Sequence, residues 1–254
     1  MTALLLLKLT IVPLFIGGVT LGSRRWGYRA AGLLTSLPVV AGPTLSFYAV
    51  EQGNAFAADA ARATLIGLVA VGVFCVAYAY MSRTWGWLAS VLVGWLAWGL
   101  VTLGIYQVRL NLVVSLAVTV AALLASRWCI AQPERLPSTD RSRAPRWDLP
   151  LRMAAAAVLV LALTSAADRL GPQLSGVLTP FPVATAIIAG FTHAQLGAEA
   201  TAWFFRGFIP GLCGFALFCC VLAALLPLQP WPLALAAALA AQLAVQEVIR
   251  RATR

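Results

Sequence analysis

Charge is what this chain lacks. Only 10% of its 254 residues are Asp, Glu, Lys or Arg, against about 25% in a soluble domain. Acids are the rarer sign, 8 against 18 Lys and Arg, and histidine occurs once. These shortages exclude whole classes. One histidine and five dispersed cysteines (Cys75, Cys129, Cys213, Cys219 and Cys220) give no zinc-ligand spacing, so neither a metal nor a cofactor is expected. The cysteines read as small buried apolar groups. There is no HExxH, no GxSxG and no pair of carboxylates inside an apolar run, and the chain is not expected to be an enzyme. The few acids, Glu51, Asp59, Asp168, Glu199 and Glu247, fall at the ends of apolar runs.

Apolar sequence is abundant. Hydrophobic residues make up 61% of the chain and the mean hydropathy is +0.89. Runs of about 20 apolar residues, enough to cross a bilayer core as helix, recur throughout. They are continuous and do not alternate as barrel strands do. The predicted fold is an all-α polytopic membrane protein with about nine transmembrane helices near 3–22, 30–50, 60–81, 86–106, 110–130, 152–168, 173–193, 204–226 and 231–249. Lys8 interrupts the first run, so it reads as a retained helix, not a signal peptide.

The net charge of +10 does not point to nucleic acid, because the arginines sit at span ends without an aromatic-rich basic groove. It points to topology. With the N-terminus outside, 14 Lys and Arg face inward and four, Lys8, Arg62, Arg109 and Arg169, face outward. Cytoplasmic loops carry the positive excess. A multi-pass topology is therefore expected, with the N-terminus outside and the C-terminus in the cytoplasm. Trp26, Trp85, Trp128, Trp147, Trp203 and Trp231 fall near span ends, where aromatic belts belong.

The phrase GLLTSLPVV at Gly32 returns as GVLTPFPVA at Gly176. A shift of 144 residues aligns 25–79 with 169–223 at sixteen identities in 55 positions, where composition alone would give about 10%. Gly53/Gly197, Arg62/Arg206, Pro38/Pro182 and Thr35/Thr179 are among the matches, and Lys8 meets Arg152 outside that window. An internal duplication follows. Four spans lie in each copy and a fifth between them, so an odd number of crossings separates equivalent residues. The copies then have inverted topology, an arrangement shared by many transporters. The expected organisation is a first repeat over 1–106, a linking helix over 107–131, a cytoplasmic loop over 132–151, and a second repeat with a short tail over 152–254. Two such units are expected to fold as one domain, as a monomer or a homodimer.

Three stretches of the first copy, AAGLLTSLP (30–38), VEQGNAFAADAARATLIG (50–67) and WGWLASVLVGWLAW (85–98), resemble the GlpM-like (YdgC-like) family of small four-helix bacterial inner-membrane proteins. The resemblance covers 1–106 closely and 152–250 more loosely, since Glu51 becomes Gln195 and Thr64 becomes Phe208. It implies a four-helix unit and an inner-membrane location. The chain would then be a tandem fusion of two such units.

Candidate site residues come from the matched positions. Pro38 and Pro182 each remove a backbone donor. They read either as packing kinks or as helix interruptions facing a midplane cavity. Thr35 and Thr179 either line that cavity or bond back to their own helix. Arg62 and Arg206, about 10 Å inside their spans, either snorkel to headgroups or attract an anionic solute. Asp59 and Glu51 stand near Arg62, and Glu199 stands seven residues before Arg206. His193 reads as a surface or capping residue, with proton coupling beside Gln195 as the alternative. From these features the expected function is transport of a small anionic or zwitterionic solute, or a lipid headgroup, between inverted repeats. The alternative is a non-transporting scaffold or accessory subunit. The partners expected are membrane lipids and a small-molecule substrate, with no nucleic acid.

Overall fold

The computed structural model describes the backbone of residues 3–105, 108, 110–133, 147–170 and 181–252, and the side chains of 9–105, 108, 110–133, 147–162 and 181–251 among them. Every element among these residues is helical. In chain order they are α1 (Ala3–Trp26), α2 (Tyr28–Thr35), α3 (Ala41–Glu51), α4 (Asn54–Met81), α5 (Trp87–Ile105), α6 (Leu112–Cys129), α7 (Asp148–Leu170), α8 (Val183–Leu225) and α9 (Trp231–Ala252). Five of them, α4, α5, α6, α8 and α9 over Trp231–Arg251, are long and apolar enough to cross a membrane. This is consistent with a multi-pass membrane protein. Helices suit that solvent because they satisfy their own backbone groups.

Three expected spans take a different form. The run 30–50 is no single helix: α2 ends at Thr35 and α3 starts at Ala41, with Pro38 in the gap. Proline lacks the N–H that would bond one turn back and its ring crowds that turn. The helix is therefore broken at this position and not merely kinked. The second departure is α8, whose 43 residues join the described part of the expected 173–193 span to the 204–226 span. It bends at Gly197, whose φ of 85° and ψ of −178° are non-helical. His193 and Phe205 would lie ~18 Å apart on a straight helix at ~1.5 Å per residue. Both rings instead pack on Tyr78, at centroid distances of 5.9 and 5.3 Å. The expected loop 132–151 is shorter at its end, because α7 begins at Asp148. Pro150 is tolerated in that first turn, where no intrahelical donor is needed.

Element boundaries recur at the 144-residue spacing. Shifting α4 gives 198–225, the part of α8 beyond its bend, and shifting α5 gives 231–249, inside α9. Gly53 (φ 90°, ψ 163°) and Gly197 share a backbone region that only glycine adopts without strain. Burial recurs too: Phe74 and Phe218, Cys75 and Cys219 are all fully buried. Cys129, by contrast with the expected buried thiols, is exposed.

Equivalent helices pack antiparallel. Tyr78, near the end of α4, meets Phe205 near the start of the second part of α8. Asn54, at the start of α4, donates to the Gln229 carbonyl beyond the end of α8, at 3.2 Å. Likewise Arg24 at the end of α1 pairs with Asp148 at the start of α7. α6 lies against both halves. Thr119 donates to the Leu65 carbonyl of α4 at 3.1 Å, and Arg127 donates to the Arg206 carbonyl of α8 at 2.6 Å. α2 crosses to α8 at backbone contact. A Cβ on Gly32 or Gly207 would collide with the carbonyl of Phe204 or Arg29 respectively. Such small-residue contacts let membrane helices approach without a hydrophobic drive between them. The described buried residues form one continuous core.

Candidate functional site

Three polar constellations stand out in the apolar interior. The first is the break between α2 and α3. Thr35 donates back to the Ala31 carbonyl at 2.7 Å and Ser36 to the Leu33 carbonyl at 2.7 Å. Thr35 therefore spends its proton on its own helix. The end of α2 is closed from outside by α9. Gln242 Nε2 donates to the Ser36 carbonyl at 3.0 Å, and Gln246 Nε2 donates to Ser36 Oγ at 3.1 Å. Both glutamines are buried, one helical turn apart on one face. A carbonyl orphaned at a buried helix end would cost about 1–3 kcal/mol, and the amide removes that cost.

The second constellation occupies the matching place in the other half. Trp98 and Thr102 on α5 stand 144 residues before Gln242 and Gln246. Pro182 is the N-cap of α8, and Phe181 before it packs on Trp95 and Trp98 at centroid distances of 5.3 and 5.0 Å. Here the polar atoms are not engaged: Trp95 Nε1, Trp98 Nε1 and Thr102 Oγ1 are buried without a hydrogen-bond partner. Thr179, the expected partner of Thr35, lies outside the described residues.

The third is an ionic knot where α1, α7 and α8 meet. Asp148, 1% exposed, accepts from Arg152 Nε at 2.8 Å, from Arg24 Nη2 at 2.8 Å and from Gln195 Nε2. Arg152 is also buried. It reaches Gln195 Oε1 at 3.3 Å and lies over the Phe191 ring at 5.0 Å. Gln195 is two residues before the Gly197 bend, so the knot ties that bend to the ends of α1 and α7.

The expected arginine pair does not form two matched sites. Arg62 is half exposed on the outside of the bundle, 3.9 Å from a still more exposed Asp59. Its guanidinium therefore stands outside the packed interior. Arg206 instead serves the end of α6, donating to the Ile130 carbonyl at 2.9 Å and reaching Gln132 Oε1 at 3.5 Å. A cation at a helix C-terminus meets unsatisfied carbonyls and the negative end of the dipole. The end of α6 thus takes the guanidinium that was expected to draw solute. Glu51 and Glu199 are exposed. His193 is not a surface cap: its Nδ1 lies 3.3 Å from the hydroxyl of the fully buried Tyr78.

Sequence reasoning missed the Asp148 knot, the glutamines and the tryptophan–threonine face. Two glutamines four apart in an otherwise apolar helix were a readable signal. So was the pairing of Lys8 with Arg152, a basic residue inside each first span. No metal-binding cluster of His, Cys, Asp or Glu occurs among the described residues. A shallow, mostly apolar crevice between Leu45, Ala49, Leu222, Leu226, Trp231 and Leu235 is too narrow to admit even water.

Fold and composition thus define a helical protein whose apolar helices are consistent with several membrane crossings. Comparison with protein-family models, curated proteins and solved structures gives no match.

Proposed function

We propose that this protein is a transporter of small anionic or zwitterionic solutes, built from two fused copies of a four-helix unit inverted in a bacterial inner membrane. The N-terminus is periplasmic and the C-terminus cytoplasmic. One observation carries the reading: α4 and its counterpart in α8 have identical 144-shifted boundaries and pack antiparallel. Copies related in that way place their interrupted helices near mid-bilayer, where secondary transporters bind their substrates. The arginine excess on one side supports the orientation, and the three GlpM-like stretches support kinship with that family. The solute pathway is assigned to the α2–α3 break and the Phe181–Pro182 junction, not to Arg62 and Arg206.

Reconstitution in liposomes tests the proposal. Uptake of at least one anion from a panel of halides, nitrate and small carboxylates should exceed that of empty vesicles by tenfold or more. Flux equal to empty vesicles across the panel would remove the transport reading. One observation favours a second reading, a membrane scaffold: both expected solute-drawing arginines are used elsewhere, Arg62 at the surface and Arg206 on α6. A scaffold predicts no flux and stable co-purification of another membrane protein.

A further inference from the structure

Buried threonines in this molecule normally donate to the carbonyl four residues back, as Thr20, Thr35, Thr44 and Thr64 do. Thr102 does not. Its hydroxyl has no partner, and neither do the indole N–H groups of Trp98 and Trp95, one and two turns earlier on the same face of α5. Trp98 and Thr102 are each 5% exposed. A buried donor left unpaired costs about 1–3 kcal/mol, so three on one stripe need an account.

Their surroundings narrow it. Both indoles pack on Phe181, beside the N-cap of α8. The start of α8 carries the positive end of its helix dipole. The Trp98 and Phe181 rings meet at 79°, an edge-to-face contact, and ring edges are also electropositive. Trp98 lies eleven residues into α5, about 16 Å at ~1.5 Å per residue, roughly half of a ~30 Å hydrocarbon core. The matched face of α9 is different. The amide N–H groups of Gln242 and Gln246 there are committed to Ser36, and the atom left without a partner is an acceptor, Gln242 Oε1.

We propose that Trp95, Trp98 and Thr102, on the face of α5 whose indoles pack on Phe181 at the start of α8, form a mid-membrane binding site for a small monovalent anion. Two N–H donors can point at the anion directly. The threonine donates its O–H, and the helix dipole supplies the remaining positive potential. No described lysine, arginine or histidine belongs to this set, so it has no full positive charge to balance a dianion such as sulfate. The inference deepens the transport reading by naming its substrate class, yet binding at the site does not depend on transport.

Isothermal titration of the purified full chain in detergent, prepared in gluconate, tests it with sodium chloride, bromide, nitrate and sulfate. Two substitutions keep shape and remove one donor each: Trp98→Phe keeps a ring on Phe181, and Thr102→Val is isosteric. Saturable binding of the monovalent ions but not sulfate is expected, weakened about tenfold in each variant. Absence of saturable binding, or equal affinity in both folded variants and the parent, overturns the site. Melting temperature and monodispersity establish that each variant is folded, and should a variant fail, anomalous diffraction from bromide locates the ion in the parent. A bromide peak away from Trp98 and Thr102 also overturns the site. Parallel liposome flux separates the two claims: binding without flux keeps the site and removes transport, whereas flux without saturable binding, or with equal affinity in both variants and the parent, keeps transport and removes the site.

Discussion

Asp148 is the residue on which most charge depends. It is 1% exposed and accepts from two guanidiniums and an amide. Removing it leaves Arg152, itself 6% exposed at the side chain, as a buried cation without a counter-ion. Breaking such a pair from one side costs about 3–5 kcal/mol, whereas replacing both members by apolar groups is often neutral. Asp148→Ala should therefore lower the melting temperature in detergent by many degrees, and the double change Asp148→Leu with Arg152→Met should recover most of the loss. Arg24, about a third exposed on the same carboxylate, should matter far less on truncation, about 1 kcal/mol or under. Equal melting temperatures for Asp148→Ala and the parent would contradict this picture. None of it was readable from the 131–148 segment, whose prolines and charges mark a loop. A carboxylate becomes a helix start or a linker residue according to partners far off in sequence, here Arg24 and Gln195.

Among the elements, two joints and one break determine the layout. Gly53 and Gly197 turn the chain from α3 into α4 and between the two parts of α8, with φ near +90° and extended ψ. Any Cβ there is strained by about 1–3 kcal/mol, although no neighbouring atom lies within 4 Å of where that Cβ would sit. Gly53→Ala and Gly197→Ala should each destabilise by that amount, measured by thermal unfolding, while Gly99→Ala in helical, open surroundings should not. The break at Pro38 depends on a neighbour. Gln242→Leu leaves the Ser36 carbonyl without its amide donor and should cost about 1–3 kcal/mol. A stability unchanged by Gln242→Leu would show that Ser36 does not need the α9 amide. Both joints were legible, as glycines matched at 144 residues. The break was legible only as one of two readings, because a proline in a membrane helix can kink it or end it. Which occurs depends on whether another helix caps the freed groups, and that capping comes from more than 200 residues away.

At the scale of the whole molecule, helix boundaries, buried phenylalanines and glycine joints recur together at 144 residues, as the proposed duplication requires. The all-helical fold and the ends of α4 and α5 were legible because apolar run length and glycine position act locally. The functional geometry was not. Arg62 and Arg206 match in sequence, yet α6, present once, lies where only Arg206 can reach its last carbonyls. A helix end within reach of one matched residue and not of the other breaks the inference from matched residues to matched sites. The same asymmetry leaves glutamines of α9 closing the α2–α3 break and donors of α5 unpartnered. The central claim is that the two copies are inverted across the bilayer, and it is tested most directly at Gln52 and Leu196, exposed residues one position before each glycine joint. With the native cysteines replaced, single cysteines there would be probed in intact cells with a membrane-impermeant maleimide, then again after permeabilisation. The account predicts that Gln52→Cys reacts from outside and Leu196→Cys only after permeabilisation; reaction of both from the same side would contradict it.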